Sequence, residues 1–291
     1  MKPAPFAYHA PTTIDEALAI LGQDLDGSRL LAGGQSLAPM LNLRLASFDN
    51  LIDLNCIAGL DHIRIESGGI VIGALARQYD VAHNDDVRSR LPVLSTALGH
   101  VAHTAISNRG TVVGSLCHAD PAAEIPAVWL AVGGKLSAQS PAGIRTVRAE
   151  SFFDSNFTTS LKPDEVATEV RFDLATGTTG WSFEEIARRH GDFALAGVVI
   201  QLSLDGGSIS DPRIVVFGVG ATPVRLAGVE TRIAGTSKLD DGLLDQVVAD
   251  VTAELNPPGD IHATTEYRRH IAGVLVRRGI PRALEDAQSR V

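Results

Sequence analysis

Cysteine is scarce in this chain: Cys56 and Cys117 are the only two in 291 residues. Two thiols cannot supply the four thiolates that an iron–sulfur cluster normally takes. Nor do they form a CxxC pair, which leaves structural zinc and a redox disulfide without support. No apolar stretch approaches the roughly 20 residues needed to span a bilayer. The start, Met1-Lys2-Pro3-Ala4-Pro5-Phe6, lacks the apolar core of a signal peptide, so a cytoplasmic, reduced setting is expected. There is no basic run, and 25 basic against 34 acidic residues give a formal charge of −9. That balance argues against nucleic acid or an anionic membrane as the main partner. A phosphate-bearing ligand would therefore be held mainly by backbone N–H groups and hydroxyls. Internal repeats and low-complexity segments are also absent.

What is present is an ordinary globular balance, 45% hydrophobic and 20% charged. Residues 1–55 read as a small α/β unit. A helix over Thr13–Leu21 has a hydroxyl cap and ends at Gly22, and strands are expected at Ser28–Ala32 and Asn50–Leu54. Residues 56–176 form a second unit, with strands at His62–Ile65 and Gly69–Ile72. A helical stretch from Leu91 to His103 follows, then an irregular Gly-rich run over Asn108–Ser115 and a helix opened by Asp120-Pro121. Leu174–Gly180 is the clearest linker. Residues 177–291 give strands at Trp181–Ala187, Leu195–Leu204 and Ile214–Val219, with Asp205-Gly206-Gly207 as a hairpin turn. Helices at Leu239–Leu255 and Thr264–Arg278 complete it. Strands followed by helices indicate α+β.

Two segments carry the chemistry. Ala32-Gly33-Gly34-Gln35-Ser36-Leu37 stands where a strand ends, and its paired glycines let backbone N–H groups approach a ligand. An ordinary strand-to-helix turn has the same composition. The second runs from Thr111 to Glu124 and joins Gly114, the hydroxyls of Thr111 and Ser115, and a helix start that favours an anion. Glu124 would sit one turn into that helix, where a carboxylate can accept hydrogen bonds from ribose hydroxyls. A capped surface helix is the plainer reading. Gly218-Val219-Gly220-Ala221-Thr222-Pro223 starts like a dinucleotide fingerprint, but Pro223 replaces its third glycine. His100 and His103 would be three apart on a helix, without HExxH or a third ligand, so no metal site is expected.

Taken together and in order, these segments resemble the medium, FAD-binding subunit of the molybdenum hydroxylases, the xanthine dehydrogenase and carbon monoxide dehydrogenase type. The resemblance runs from Pro5–Ala17 through Ala32–Leu37, Ile72–Ala74, Asn108–Ser115 and His118–Glu124 to Ala187–Ala194. It implies an α+β chain. An FAD-binding domain of the vanillyl-alcohol-oxidase/PCMH type, made of two α/β subdomains, would span 1–176. A carbon monoxide dehydrogenase flavoprotein C-terminal-like domain, a three-stranded antiparallel sheet with helices, would span 177–291.

By motif position, Ala32, Gly33, Gly34, Gln35 and Ser36 would wrap the FAD pyrophosphate, with Leu37 closing the loop. Thr111, Gly114 and Ser115 would form the second wall, and Glu124 would meet the adenosine ribose. Val101, Ala102 and Leu161 would lie along the cofactor, and Phe193 would cover the isoalloxazine. No side chain would act as a general acid or base, and none would bind a metal. The resemblance also implies a large partner with molybdenum-molybdopterin and a small partner with two two-iron two-sulfur clusters, in a dimer of heterotrimers. Electrons would pass from the nearer cluster through FAD to an external acceptor. Two departures stand out: Arg77-Gln78 replaces a histidine-containing segment, and Glu184-Glu185 stands where relatives often carry a lysine. A self-contained flavoprotein oxidoreductase and a non-catalytic scaffold are the alternatives.

Overall fold

Residues 2–290 are described in a computed structural model. The first unit is a parallel sheet of β1 (Ala7–His9), β2 (Ser28–Leu31) and β3 (Asn50–Asp53), in the order β1-β3-β2. Parallel neighbours need crossovers, and the helices Ile14–Leu21 and Leu37–Asn42 provide them. The first begins where Thr13 Oγ1 accepts the Glu16 N–H, while Glu16 reaches back to the Thr12 N–H at 2.7 Å. Its buried Ala17, Leu18 and Leu21 form one helical face over the sheet.

The second unit is an antiparallel sheet of β4 (Ile63–Glu66), β5 (Gly69–Gly73), β6 (Gly134–Ser140), β7 (Gly143–Arg148) and β10 (Val166–Asp173). A short hairpin, β8 (Phe153–Ser155) with β9 (Thr158–Thr159), lies before β10, and the sheet order is β4-β5-β10-β6-β7. Its core centres on Trp129, fully buried, whose indole N–H donates to the Arg171 carbonyl at 3.0 Å. Phe152 meets the Trp129 ring edge-on at 5.3 Å.

The last sheet runs β11 (Thr179–Ala187), β12 (Ala194–Asp205), β13 (Ser208–Phe217) and β14 (Val224–Arg225), in that order. Both faces are covered. Val199, Val215 and Phe217 join the core of the second unit, while Val198, Ile200, Ile214 and Val216 join a core under the helix Thr265–Gln288. This is why residues 194–200 are apolar without alternation. Gly180 and Gly279 permit the close helix–sheet approach: a Cβ on Gly180 would lie 2.0 Å from the Ala283 carbonyl oxygen. Among the described residues no helix is long and apolar enough to cross a membrane.

Several sequence expectations are corrected. The helix expected over Leu91–His103 covers only Pro92–Leu98, because Gly99 caps it and Ala102 then takes a left-handed φ of 45°. His103 instead precedes a separate turn, Thr104–Ser107, so the two histidines share no helix. The run 108–115 is partly helical: Thr111 caps Val112–His118, and left-handed Ala119 ends it. Asp120-Pro121 consequently forms a turn, with Asp120 accepting the Ala122 N–H, and the next helix starts at Glu124 itself. Finally, β14 makes the C-terminal sheet four-stranded. The hairpin turn stands as expected, with Gly206 and Gly207 at φ 55° and 84°.

Candidate functional site

The two glycine segments, far apart in sequence, lie against each other. β2 delivers Ala32–Leu37, and the chain after Thr104–Ser107 delivers Arg109–Ser115. A Cβ on Gly33 would fall 2.4 Å from the Arg109 carbonyl oxygen and 2.8 Å from the Gly110 Cα. Only glycine allows that approach. Gly34 has a φ of 73°, a conformation glycine adopts at no steric cost. The N–H groups of Gly33, Gly34, Gln35 and Ser36 find no acceptor among the described residues. Gln35 folds its amide onto the Gly33 carbonyl at 3.2 Å. Ser36 is exposed, and its hydroxyl does not cap the helix that Leu37 begins.

On the facing wall, Thr111 is buried and its Oγ1 accepts the Gly114 N–H at 3.0 Å. A Cβ on Gly114 would meet that hydroxyl at 2.5 Å and the Ala32 Cβ at 3.9 Å, so Gly114 borders the first loop as well. Ser115 is half-buried one residue on. Free N–H donors on a loop whose first two donor residues lack a Cβ, with a rigid wall behind, make a surface an anion such as a pyrophosphate can occupy.

Val101 packs against the main core, and Ala102 meets Gly191, where a Cβ would lie 2.5 Å from the Ala102 carbonyl oxygen. Phe193, two residues on, is 68% exposed. Leu161 is half-buried beside the β8–β9 hairpin, whose Phe157 N–H donates to the Ala119 carbonyl. Glu124 is only 7% exposed. Burial pushes its carboxyl up to about 8, with the charges of Glu185 and Asp120 adding to the effect. Glu185 is itself pushed up to about 7 by burial, and one of its carboxylate oxygens has no partner. Glu184 points the other way and pairs with Arg282 at 2.8 Å. His100 tilts against Phe183 at 4.9 Å, and its pKa is lowered by burial and then by His190.

Sequence reasoning did not find Asn55 and Arg77, which join the two loops from behind. Arg77 donates to the Arg109 carbonyl at 2.8 Å and to Asn55 Oδ1 at 2.5 Å, while Asn55 donates to the Ala32 carbonyl at 2.9 Å. Their signal was faint: Arg77 showed only as a departure after Ile72-Gly73-Ala74.

The fold and these paired loops define a flavin-carrying subunit of a molybdenum hydroxylase, and the comparisons agree. Residues 4–172 match the family described as FAD binding domain in molybdopterin dehydrogenase, and residues 181–283 match the CO dehydrogenase flavoprotein C-terminal domain. The chain belongs to this family of medium, FAD-binding subunits.

Among individual relatives, it is 37% identical to the caffeine dehydrogenase subunit beta of Pseudomonas sp. (strain CBB1), over 98% of this chain and 97% of that one. It is 36% identical to the carbon monoxide dehydrogenase medium chain of Hydrogenophaga pseudoflava, covering 96% and 97% respectively. A solved structure of the Hydrogenophaga pseudoflava carbon monoxide dehydrogenase superposes with a TM-score of 0.95 at 35% identity, covering 98% of this chain and 99% of that one. Quinoline 2-oxidoreductase from Pseudomonas putida 86 gives 0.92 at 33% identity, covering 100% and 99%. The chain is thus a subunit of a multi-subunit, molybdenum-dependent oxidoreductase.

Proposed function

We propose that this chain holds FAD between the loops Ala32–Leu37 and Thr111–Ser115 and serves as the electron exit of its complex. The observation that carries this reading is the back-to-back packing of the two glycine loops, with a row of N–H groups left without acceptors. Gly33, Gly34, Gln35 and Ser36 bind the pyrophosphate by backbone donors; Leu37 closes that loop, and Thr111, Gly114 and Ser115 hold the second wall. Glu124 receives the ribose hydroxyls. Its buried carboxyl, without a cation beside it, suits a neighbour that donates hydrogen bonds. Val101, Ala102, Leu161 and Phe193 exclude water along the ring system. When bound, FAD supplies the capacity to take electrons singly and release them in pairs.

Two partners complete the assembly: a large subunit with molybdenum-molybdopterin and a small subunit with two two-iron two-sulfur clusters, in a dimer of heterotrimers serving an external acceptor. Substrate choice belongs to the large partner. The near-equal identities to relatives named for caffeine, carbon monoxide and glyceraldehyde, 37%, 36% and 35%, favour this, since those substrates are chemically unlike. Co-expression with the neighbouring genes tests the assembly. Iron and molybdenum should co-purify with the chain only when both partners are present. A chain that elutes alone from such a preparation refutes the heterotrimer.

A further inference from the structure

The two glycine loops contain neither lysine nor arginine; Arg29 precedes the first loop by three residues and Arg109 precedes Thr111 by two. The fold places a further guanidinium, that of Arg77, against both. Arg77 stands at the start of the helix Gln78–His83, held to the second loop by an isolated antiparallel bridge with Thr111. The Gln78 N–H donates to the Gly110 carbonyl at 2.8 Å, so the backbone there is fixed. From this anchor one guanidinium nitrogen bonds the Arg109 carbonyl and another bonds Asn55, which passes the contact on to the Ala32 carbonyl. Asn55 is itself locked: its backbone N–H donates to Asp53 Oδ1 at 2.9 Å, and Tyr8 holds the other Asp53 oxygen at 2.6 Å.

We infer that Arg77, with Asn55 as its relay, is the positioning residue that sets the spacing of the two flavin-holding loops and supplies the positive charge behind them. This rests on the FAD reading above. Geometry supports the first half, because Arg77 is tied to one carbonyl of each loop, directly or through one amide. Charge supports the second. Among the described residues no carboxylate hydrogen-bonds this guanidinium; Asp53, Asp61 and Asp80 act on it only at a distance. Burial, and then the nearby Arg109, lower its pKa. A partly desolvated cation flanked by a second one gains when an anion settles nearby. Lysine could keep the charge, but its single nitrogen lacks the planar fork that reaches two acceptors in fixed directions.

The test is a titration of the full-length apoprotein with FAD across a range of ionic strength, with thermal unfolding of each apoprotein alongside. Arg77→Gln should weaken FAD binding by at least about tenfold and flatten its salt dependence, because a charge-assisted contact is lost. Asn55→Leu should weaken binding while keeping the salt dependence of the wild type, and Arg77→Lys should behave as Asn55→Leu does. Wild-type affinity in both Arg77→Lys and Asn55→Leu would overturn the spacing role, even if Arg77→Gln failed to fold. A salt dependence unchanged in Arg77→Gln would overturn the charge role. Failure of the wild-type chain itself to bind FAD would sink the proposed function instead.

Discussion

Replacing Gly33 by alanine adds one methyl group at the contact between the two loops. That carbon would sit 2.4 Å from the Arg109 carbonyl oxygen, 2.8 Å from the Gly110 Cα and 3.0 Å from the Arg109 carbonyl carbon. Ordinary contact needs about 3.5 Å, so the loops must part by roughly 1 Å. All three offending atoms are backbone or backbone-bound, and the carbonyl is pinned by Arg77, so no side chain can swing away. Overpacking of this kind costs about 1–3 kcal/mol. At about 1.4 kcal/mol per tenfold, FAD affinity should fall by about five- to 150-fold if the strain is relieved by opening the site. Gly59→Ala is the control. Its φ of 80° brings backbone strain, but nothing lies within 4 Å of the added carbon, so stability should drop slightly with affinity unchanged. Titrating each apoprotein with FAD and recording its unfolding midpoint separates the two cases. A Gly33→Ala chain that binds FAD as tightly as the wild type would refute the close-packed-loop argument.

Glu124 should make the apoprotein lose stability as pH rises. Its folded pKa, about 8, lies above the ordinary 4.5, so the unfolded chain ionises first and the penalty grows between those values, to a ceiling on the order of 5 kcal/mol. Glu124→Gln should flatten that slope in denaturant unfolding from pH 5 to pH 8 (about the window named), and an unchanged slope would count against the buried-carboxyl account. Burial pushes the Cys117 thiol up to about 12, whereas Cys56 is exposed, so a thiol reagent should label one cysteine per folded chain and two after unfolding. Cys117 is half-buried, so its slow labelling rests on the raised thiol pKa, and equal labelling of both in the folded chain would contradict that shift. Arg268 is buried and donates to the carbonyls of Leu195 and Gly218 and to Asp260 at 2.6 Å. Arg268→Met leaves those carbonyls without their donor while the half-exposed Asp260 is hydrated, so it should destabilise the C-terminal sheet by about 1–3 kcal/mol, read as an earlier unfolding transition, and an unmoved transition would contradict it.

Much of this was legible because the relevant signals are local. Thr13 and Gly22 mark their helix, Asp205-Gly206-Gly207 marks the hairpin, and the glycine pair at 33–34 marks a close approach. What stayed hidden depends on contacts across the chain. Val166–Asp173 becomes the central strand of its sheet by pairing with β5 and β6, and nothing within those eight residues names the partners. The helix start at Glu124 was misplaced because Asp120-Pro121 is a good local opening. Only the left-handed ending of Val112–His118 at Ala119 turns it into a link. Asn55 and Arg77 were missed for the same reason, since their partners lie 23 and 32 residues away. The long helix runs past Arg278 to Gln288 despite Pro281, because packing against the sheet outweighs one missing N–H.

The central claim is that this chain carries FAD. Denaturing the purified chain, identifying the released flavin and counting it against protein tests that claim directly. One FAD per chain, with no FMN, and a flavin spectrum lost in parallel with Gly33→Ala affinity, is the expected result. A chain that stays colourless when saturated with FAD, alone and in its assembled complex, would contradict the account.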